Sequence, residues 1–294
     1  MSKVSIIIPS RNEKYLQRTV QDVYDKATGD FEVIVGLNGK TEFEIPSKFP
    51  NLRIIEEAQN IGLKPMINKL AKEARGKYIY KSDSHCMFGK GFDEILQADI
   101  EDDWIVTPRF YVLDADKWAW QDDRFYDYFY LCCPFTDPKG IRFKAGGHWP
   151  ERTQAKLDVL IDETPQIHGS GWFVNRDYYF NVLGGFPEDD PDGHAQEPIW
   201  LGLKNWLMGG KVMVNKKTWY AHMHQDSNQR GYKTSNKHAR QTYKMVADYW
   251  LGNKYPKRIH DFDWFVERFM PMPTWPENWR EVYNKWRGEN GKNI

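Results

Sequence analysis

Apolar positions near the start of the chain come in short continuous runs. Val4-Ser5-Ile6-Ile7-Ile8 is β-branched and almost uninterrupted, the pattern of a strand covered on both faces, and Pro9-Ser10-Arg11-Asn12-Glu13 ends it. The period then changes. Over residues 15–27, Leu16, Val20, Val23, Tyr24 and Ala27 recur at helical spacing, and Thr28-Gly29-Asp30 closes the helix before a second strand at 31–37. A weaker strand at 52–55 leads through Asn60-Ile61-Gly62 into a helix over 64–74, and Gly76 precedes a strand at 78–81. This alternation predicts an α/β fold whose sheet is parallel and covered by helices on both faces.

Further on, residues 99–149 loosen into acidic and aromatic positions, including Trp118, Trp120, Tyr126, Tyr128 and Tyr130, and predict sheet extension with long loops. Residues 169–173 form another strand; a helix over 199–207 stops at Gly209-Gly210, and 211–214 is extended. Beyond Gln225 a helix over 237–250 is followed by a Trp- and Pro-rich stretch without sheet pattern. The organisation expected is one large unit over 1–225 and an accessory region over 226–294.

Composition narrows the classes. With 294 residues, 40% hydrophobic and 28% charged, the chain can bury a large core. Its 41 basic and 41 acidic residues cancel, so no global field recruits polyanions and any nucleic-acid role must be local. The first apolar run is far short of the ~20 residues that span a bilayer, so no membrane span is expected. Three cysteines, two of them the neighbours Cys132 and Cys133, make neither a disulfide framework nor a CxxC spacing, which fits a reducing cytoplasm.

In such sheets ligands bind beyond the carboxyl ends of the strands, where Pro9 to Glu13, Asn38-Gly39 and Ser82 to His85 fall. Neither GxGxxG nor GxxxxGKS/T is present, so phosphate must be held another way. Alternation puts Asp83 and His85 on one side of an extended segment with Ser84 on the other. A second histidine cluster, His222-Met223-His224, follows another strand. Aspartate with one or two histidines suits a divalent ion that shares its sphere with substrate oxygens, Mn²⁺ over Ca²⁺ because of the imidazoles, with Zn²⁺ the competitor.

Several segments, in order, resemble one family: VSIIIPSRNE, FEVIVGLNG, NIGLKPMINKLAKEARGKYIYKSDSHC, GSGWFVNRDYYFNVLGGF and QEPIWLGLKNWLMGGKVMVNKKTWYAH. The chain is similar, over about residues 3–224, to GT-A glycosyltransferases of family 2 type, and its DSHC to polypeptide N-acetylgalactosaminyltransferases. The resemblance implies a Rossmann-like mixed sheet flanked by helices, with a C-terminal helical or irregular extension. It further implies transfer of a sugar from a nucleoside diphosphate sugar, UDP-linked first, to a hydroxyl on a glycan, protein or modified nucleic acid. It assigns Mn²⁺ or Mg²⁺ to Asp83, His85 and His222. To the nucleotide sugar it assigns Pro9, Ser10, Arg11, Glu13, Asn38, Asn60, Gly62, Asn68, Ser82 and Asp83, and to the reacting sugar and acceptor Glu197.

Departures qualify the match. Leu37-Asn38 stands where the family has paired aspartates, and Pro198 follows Glu197 where inverting relatives place a base. The expectation is therefore retention, with Glu197 orienting substrate; inversion with Glu197 as base is the alternative. Gln225 replaces an arginine that meets the diphosphate, with Arg230, Lys233 and Lys237 as substitutes on a loop able to close. Trp206 is read equally as core or as acceptor contact, and His224 as packing. A zinc hydrolase or deaminase would use similar ligands but lacks its Pro-Cys-x-x-Cys, and a non-catalytic sugar-binding module would have little need for a metal set.

Overall fold

The computed structural model describes residues 3–143, 147–188, 196–225, 229–233 and 236–290. Strand β1 (Val4–Ser10) leads through helix α1 (Leu16–Lys26) to β2 (Phe31–Asn38) and β3 (Leu52–Glu57), and α2 (Leu63–Glu73) returns the chain to β4 (Tyr78–Ser82). A short strand β5 (Cys86–Phe88) and α3 (Phe92–Asp99) precede the long β6 (Trp104–Asp114) and β7 (Ala119–Tyr126). Then come the small pair β8 (Phe129–Tyr130) and β9 (Gly147–His148), α4 (Pro150–Ala155), β10 (Ile161–Glu163), β11 (Gly171–Asn175), α5 (Glu197–Leu207) and β12 (Lys211–His222). Three helices follow: α6 (Asn236–Leu251), α7 (Phe262–Phe269) and α8 (Trp279–Asn290).

The main sheet runs β10-β12-β6-β11-β4-β1-β2-β3, with β5 added to β12 and β7 to β6. The β3-β2-β1-β4 half is parallel, as the strand-helix alternation requires. The other half departs from the all-parallel expectation: β11 is antiparallel to both β4 and β6, and β10, β5 and β7 also pair antiparallel. All five β11 residues are buried, so their apolar pattern is the same for either direction and does not encode it.

Continuous apolar runs are needed because both faces are covered. Ile7, Ile34 and Ile79 enter a core roofed by α2, α5 and the C-terminal helices; Ile6, Ile8, Val33 and Tyr80 enter another under α1 and α3. Val246, Trp250, Phe262, Phe265 and Tyr283 of α6 to α8 belong to the first of these cores. Trp206 lies in it too, 1% exposed, against Phe269 and donating through Nε1 to Thr164 O at 3.2 Å, so of its two readings the structure supports core packing.

Gly76 closes the turn into β4, where a Cβ would sit 2.6 Å from Lys3 O and 2.7 Å from Ser5 N. Those are backbone atoms and cannot rotate away. Gly76→Ala is expected to cost about 1–3 kcal/mol, as overpacking does, read as a lower urea midpoint with an unchanged slope.

Candidate functional site

Parallel pairing brings the carboxyl ends of β1, β2 and β4 to one edge, and the β5–β12 register puts His222 opposite Cys86, next to His85. Met223 N donates to His85 O at 3.1 Å and locks the two segments together. The Asp83 to His85 stretch is a bend between β4 and β5 rather than a continuing strand, yet Ser84 is buried while its two neighbours are only partly so. Pro9, Ser10, Arg11, Glu13, Asn38, Asn60, Gly62, Asp83, His85 and His222 line one cleft of about 330 Å³. Ser84, Leu63, His224, Tyr232 and His238, which sequence reasoning did not assign to the ligand, line it as well, as do Gln225, Arg230 and Lys233.

At its floor one donor atom from each of Asp83, His85 and His222 lies within 4.8 Å of the others. The two Nε2 atoms are 3.0 Å apart, and His222 Nε2 is 3.2 Å from Asp83 Oδ2. A carboxylate accepts, so Glu13 Oε2, 3.0 Å from His85 Nδ1, favours a proton on that nitrogen and orients the ring with Nε2 toward the cluster. Burial pushes His222 down to about 4, against the pull of Asp83, and its Nδ1 is buried without a partner among the described residues. Two imidazole nitrogens and a carboxylate oxygen thus crowd one point, a donor set that fits a divalent cation, with Glu13 as the outer carboxylate such sites use to orient a histidine.

Four predicted residues are not on the cleft lining. Asn68 is buried, donating to Phe186 O at 2.9 Å and accepting from Tyr179 and from Phe186 N. Ser82 Oγ is buried and donates to Asp83 O. Glu197, 3% exposed, accepts from Trp172 Nε1 at 2.7 Å and from Lys81 Nζ at 3.3 Å. Lys237 is exposed and off the lining.

Lys81 escaped the sequence reading, although a charged residue ending an apolar strand was the visible signal. Its ammonium has no solvent access and bridges Asp83 Oδ1 at 2.7 Å, Glu197 and Gly169 O. Burial alone would push it down, but Asp83 and Glu197 outweigh that and hold it above its ordinary value. The Asp83 carboxyl is correspondingly well below its usual range, Lys81 and His222 overcoming its burial, whereas burial keeps Glu197 raised despite Lys81.

The segment 229–233 docks on the first loop. Arg11 stacks on the Tyr232 ring at 4.3 Å, and Asn12 Nδ2 donates to Gly231 O at 2.9 Å. A Cβ on Gly231 would meet Asn12 O at 2.2 Å, so only glycine allows this contact. Gln225 Nε2 reaches Glu13 Oε2 at 3.0 Å.

A cleft at the carboxyl edge of this mixed sheet, floored by an Asp-His-His cluster, defines the GT-A class. The glycosyl transferase family 2 model matches residues 5–180, and the chain belongs to that family. It is 26% identical over 282 residues to a probable N-acetylgalactosaminyltransferase 6 of Caenorhabditis elegans, covering 85% of this chain and 42% of that protein. The chain therefore spans less than half the length of the curated relative it matches. Its fold matches GalNAc-T7 with UDP, GalNAc and Mn²⁺ at a TM-score of 0.67 and 15% identity, over 91% of this chain and 56% of that one. It also matches Staphylococcus aureus TarS in complex with UDP-GlcNAc at 0.56 and 13% identity, over 90% and 69%. At such identities these structures establish the fold, and the family match places the chain among the family 2 sequences.

Two outcomes follow from the buried charges. Lys81→Met leaves two acids without their cation and should cost about 3–5 kcal/mol in urea unfolding, part of which Glu197→Gln recovers in the double variant. Buried His168, pushed down to about 3 by burial and by His148, His222 and His224, resists protonation in the folded state. The unfolded ring takes its proton near its ordinary 6.5, so this contribution to stability is complete above that pH and is lost as pH falls toward 3. His168→Leu should remove about 1.5 kcal/mol of the stability change between pH 6.5 and 5, read by denaturation at each pH.

Proposed function

We propose that this domain moves a sugar from a nucleoside diphosphate sugar, UDP-linked first, to a hydroxyl acceptor, with Asp83, His85 and His222 holding Mn²⁺ or Mg²⁺. The observation that carries the reading is the convergence of those three donor atoms in the cleft, with Glu13 turning His85 toward them. The uridine choice draws support from the UDP and UDP-GlcNAc bound to the similar folds. When bound, the cation supplies Lewis-acid stabilisation of the charge that grows on the leaving diphosphate.

The chain's own groups supply the rest. Ser10, Asn38 and Asn60 offer polar contacts to the nucleoside, and Arg230 and Lys233 set positive charge against the diphosphate. Asn12 and Arg11 hold the 229–233 segment over the first loop, where it shields the reacting bond from water. Glu197, engaged by Lys81 and Trp172, is better suited to hold the site's geometry than to take a proton from an acceptor. That supports retention, in which the leaving phosphate itself receives the acceptor proton.

Asp83→Ala and His222→Ala should each weaken Mn²⁺ binding in calorimetry by about 100-fold or more and abolish donor turnover, and Asp83→Ala should also lower the urea midpoint because Lys81 loses one of its two carboxylates, whereas His222→Ala should not. Undiminished turnover in either, with and without chelator, would overturn the metal assignment. Glu197→Gln should raise acceptor KM and lower kcat without moving the pH profile, and NMR of the first-formed product should show the donor's anomeric configuration. The opposite anomer would return Glu197 to the role of general base.

A further inference from the structure

A second concavity, of about 920 Å³, lies between α6, residues 139–142 and Trp286 of α8. Four cations line it, Lys139, Arg142, Arg240 and Lys244, against the single acid Asp248. In a chain whose formal charge is zero, this is a local excess of cations. Arg240 and Lys244 are one helical turn apart with Tyr243 between them, so helical spacing puts all three on one face. Arg142 is held in place, its guanidinium 5.3 Å from the Tyr243 ring centre and its Nε donating to Asp137 Oδ2 at 2.9 Å. Lys244 is paired with Asp248, whereas Lys139 and Arg240 form no ion pair among the described residues.

The groove and the donor cleft meet α6 at neighbouring residues. His238 lines the cleft, and Ala239, Arg240 and Tyr243 on the same helix line the groove. At about 1.5 Å of rise per residue, Arg240 lies roughly 3 Å and Tyr243 roughly 8 Å along the axis from His238. His238 and Arg240 are about 200° apart round the helix, so a chain of several sugars, rather than a single sugar, is needed to pass from the groove round the first turn of α6 into the cleft.

We propose that the groove holds the acceptor and that the acceptor is an acidic sugar chain; this rests on the reading of the cleft as the donor site. Tyr243 and Trp286 offer ring faces to the apolar face of a sugar. The planar forks of Arg142 and Arg240, with Lys139, match carboxylate or phosphate groups on neighbouring sugars. A nucleic acid would call for cations spread along an extended face to follow successive phosphates, whereas here they gather round two rings in one cavity.

The test is calorimetric binding of trigalacturonate, a phosphorylated maltotriose, unmodified maltotriose and a single-stranded DNA of about ten nucleotides to the full chain. At least one acidic sugar should bind at least about tenfold more tightly than maltotriose, weaken with added salt, and lose about tenfold or more in Arg240→Glu and again in Tyr243→Ala. The tighter of the two acidic sugars identifies the anionic group. Equal binding of the neutral sugar, tighter binding of DNA, indifference to Arg240→Glu, or no binding of any probe overturns the proposal. Hydrolysis of UDP-sugars without acceptor is measured alongside. Arg240→Glu should leave it unchanged, and its absence from the unaltered protein counts against the donor reading alone.

Discussion

An ammonium group cut off from water stays charged only where carboxylates surround it, and Lys81 has two. Asp83 lies on its cleft side and Glu197 at the start of α5, so one cation ties the end of a parallel strand to a helix more than a hundred residues later. The carboxylate of Asp83 is divided between two tasks: Oδ1 faces Lys81 and Oδ2 faces His222. Its direction is therefore set before any ligand arrives. Trp172 Nε1 fixes the other oxygen of Glu197, and Gly169 O takes the ammonium, so the strand beside β4 is drawn into the same network. Preorganisation of this kind spares the site the cost of aligning charged groups at the moment of reaction.

Much of the cleft was legible because its residues sit at strand ends, and strand ends are punctuated. Pro9 to Glu13, Asn38 and Asp83 to His85 each follow a short, mostly apolar run, and the parallel half of the sheet sets those ends side by side. What was not legible depends on partners distant in sequence. Nothing local marks Asn68 as the clamp for Phe186 and Tyr179, or Glu13 as the support of a histidine seventy-two residues away. The direction of β11 was hidden for a related reason, since a strand buried on both faces has no polar side to orient it. Lys81 was in view, but its significance needed Glu197, which reaches it only through the packing of α5.

The tail looked like an appendage because it carries no sheet pattern, only aromatic residues at helical spacing. Those aromatics lie in the core shared by α2, α5 and one face of the sheet, and His238 on α6 reaches the cleft lining. The tail thus roofs the same sheet that presents the metal-type cluster. Composition alone could not separate a helical roof from an independent module, because both are apolar on one side and charged on the other.

That shared core bears on how this molecule could be divided by an engineer or by recombination. The family match ends at residue 180, ahead of His222 and of the helices whose Trp250, Phe262 and Phe265 cover the sheet. A graft of the matched span alone would carry the first loop and the Asp-Ser-His bend while baring a wide apolar surface and omitting one corner of the cluster. The transferable module is set by the shared core, which runs from the first strand into α8.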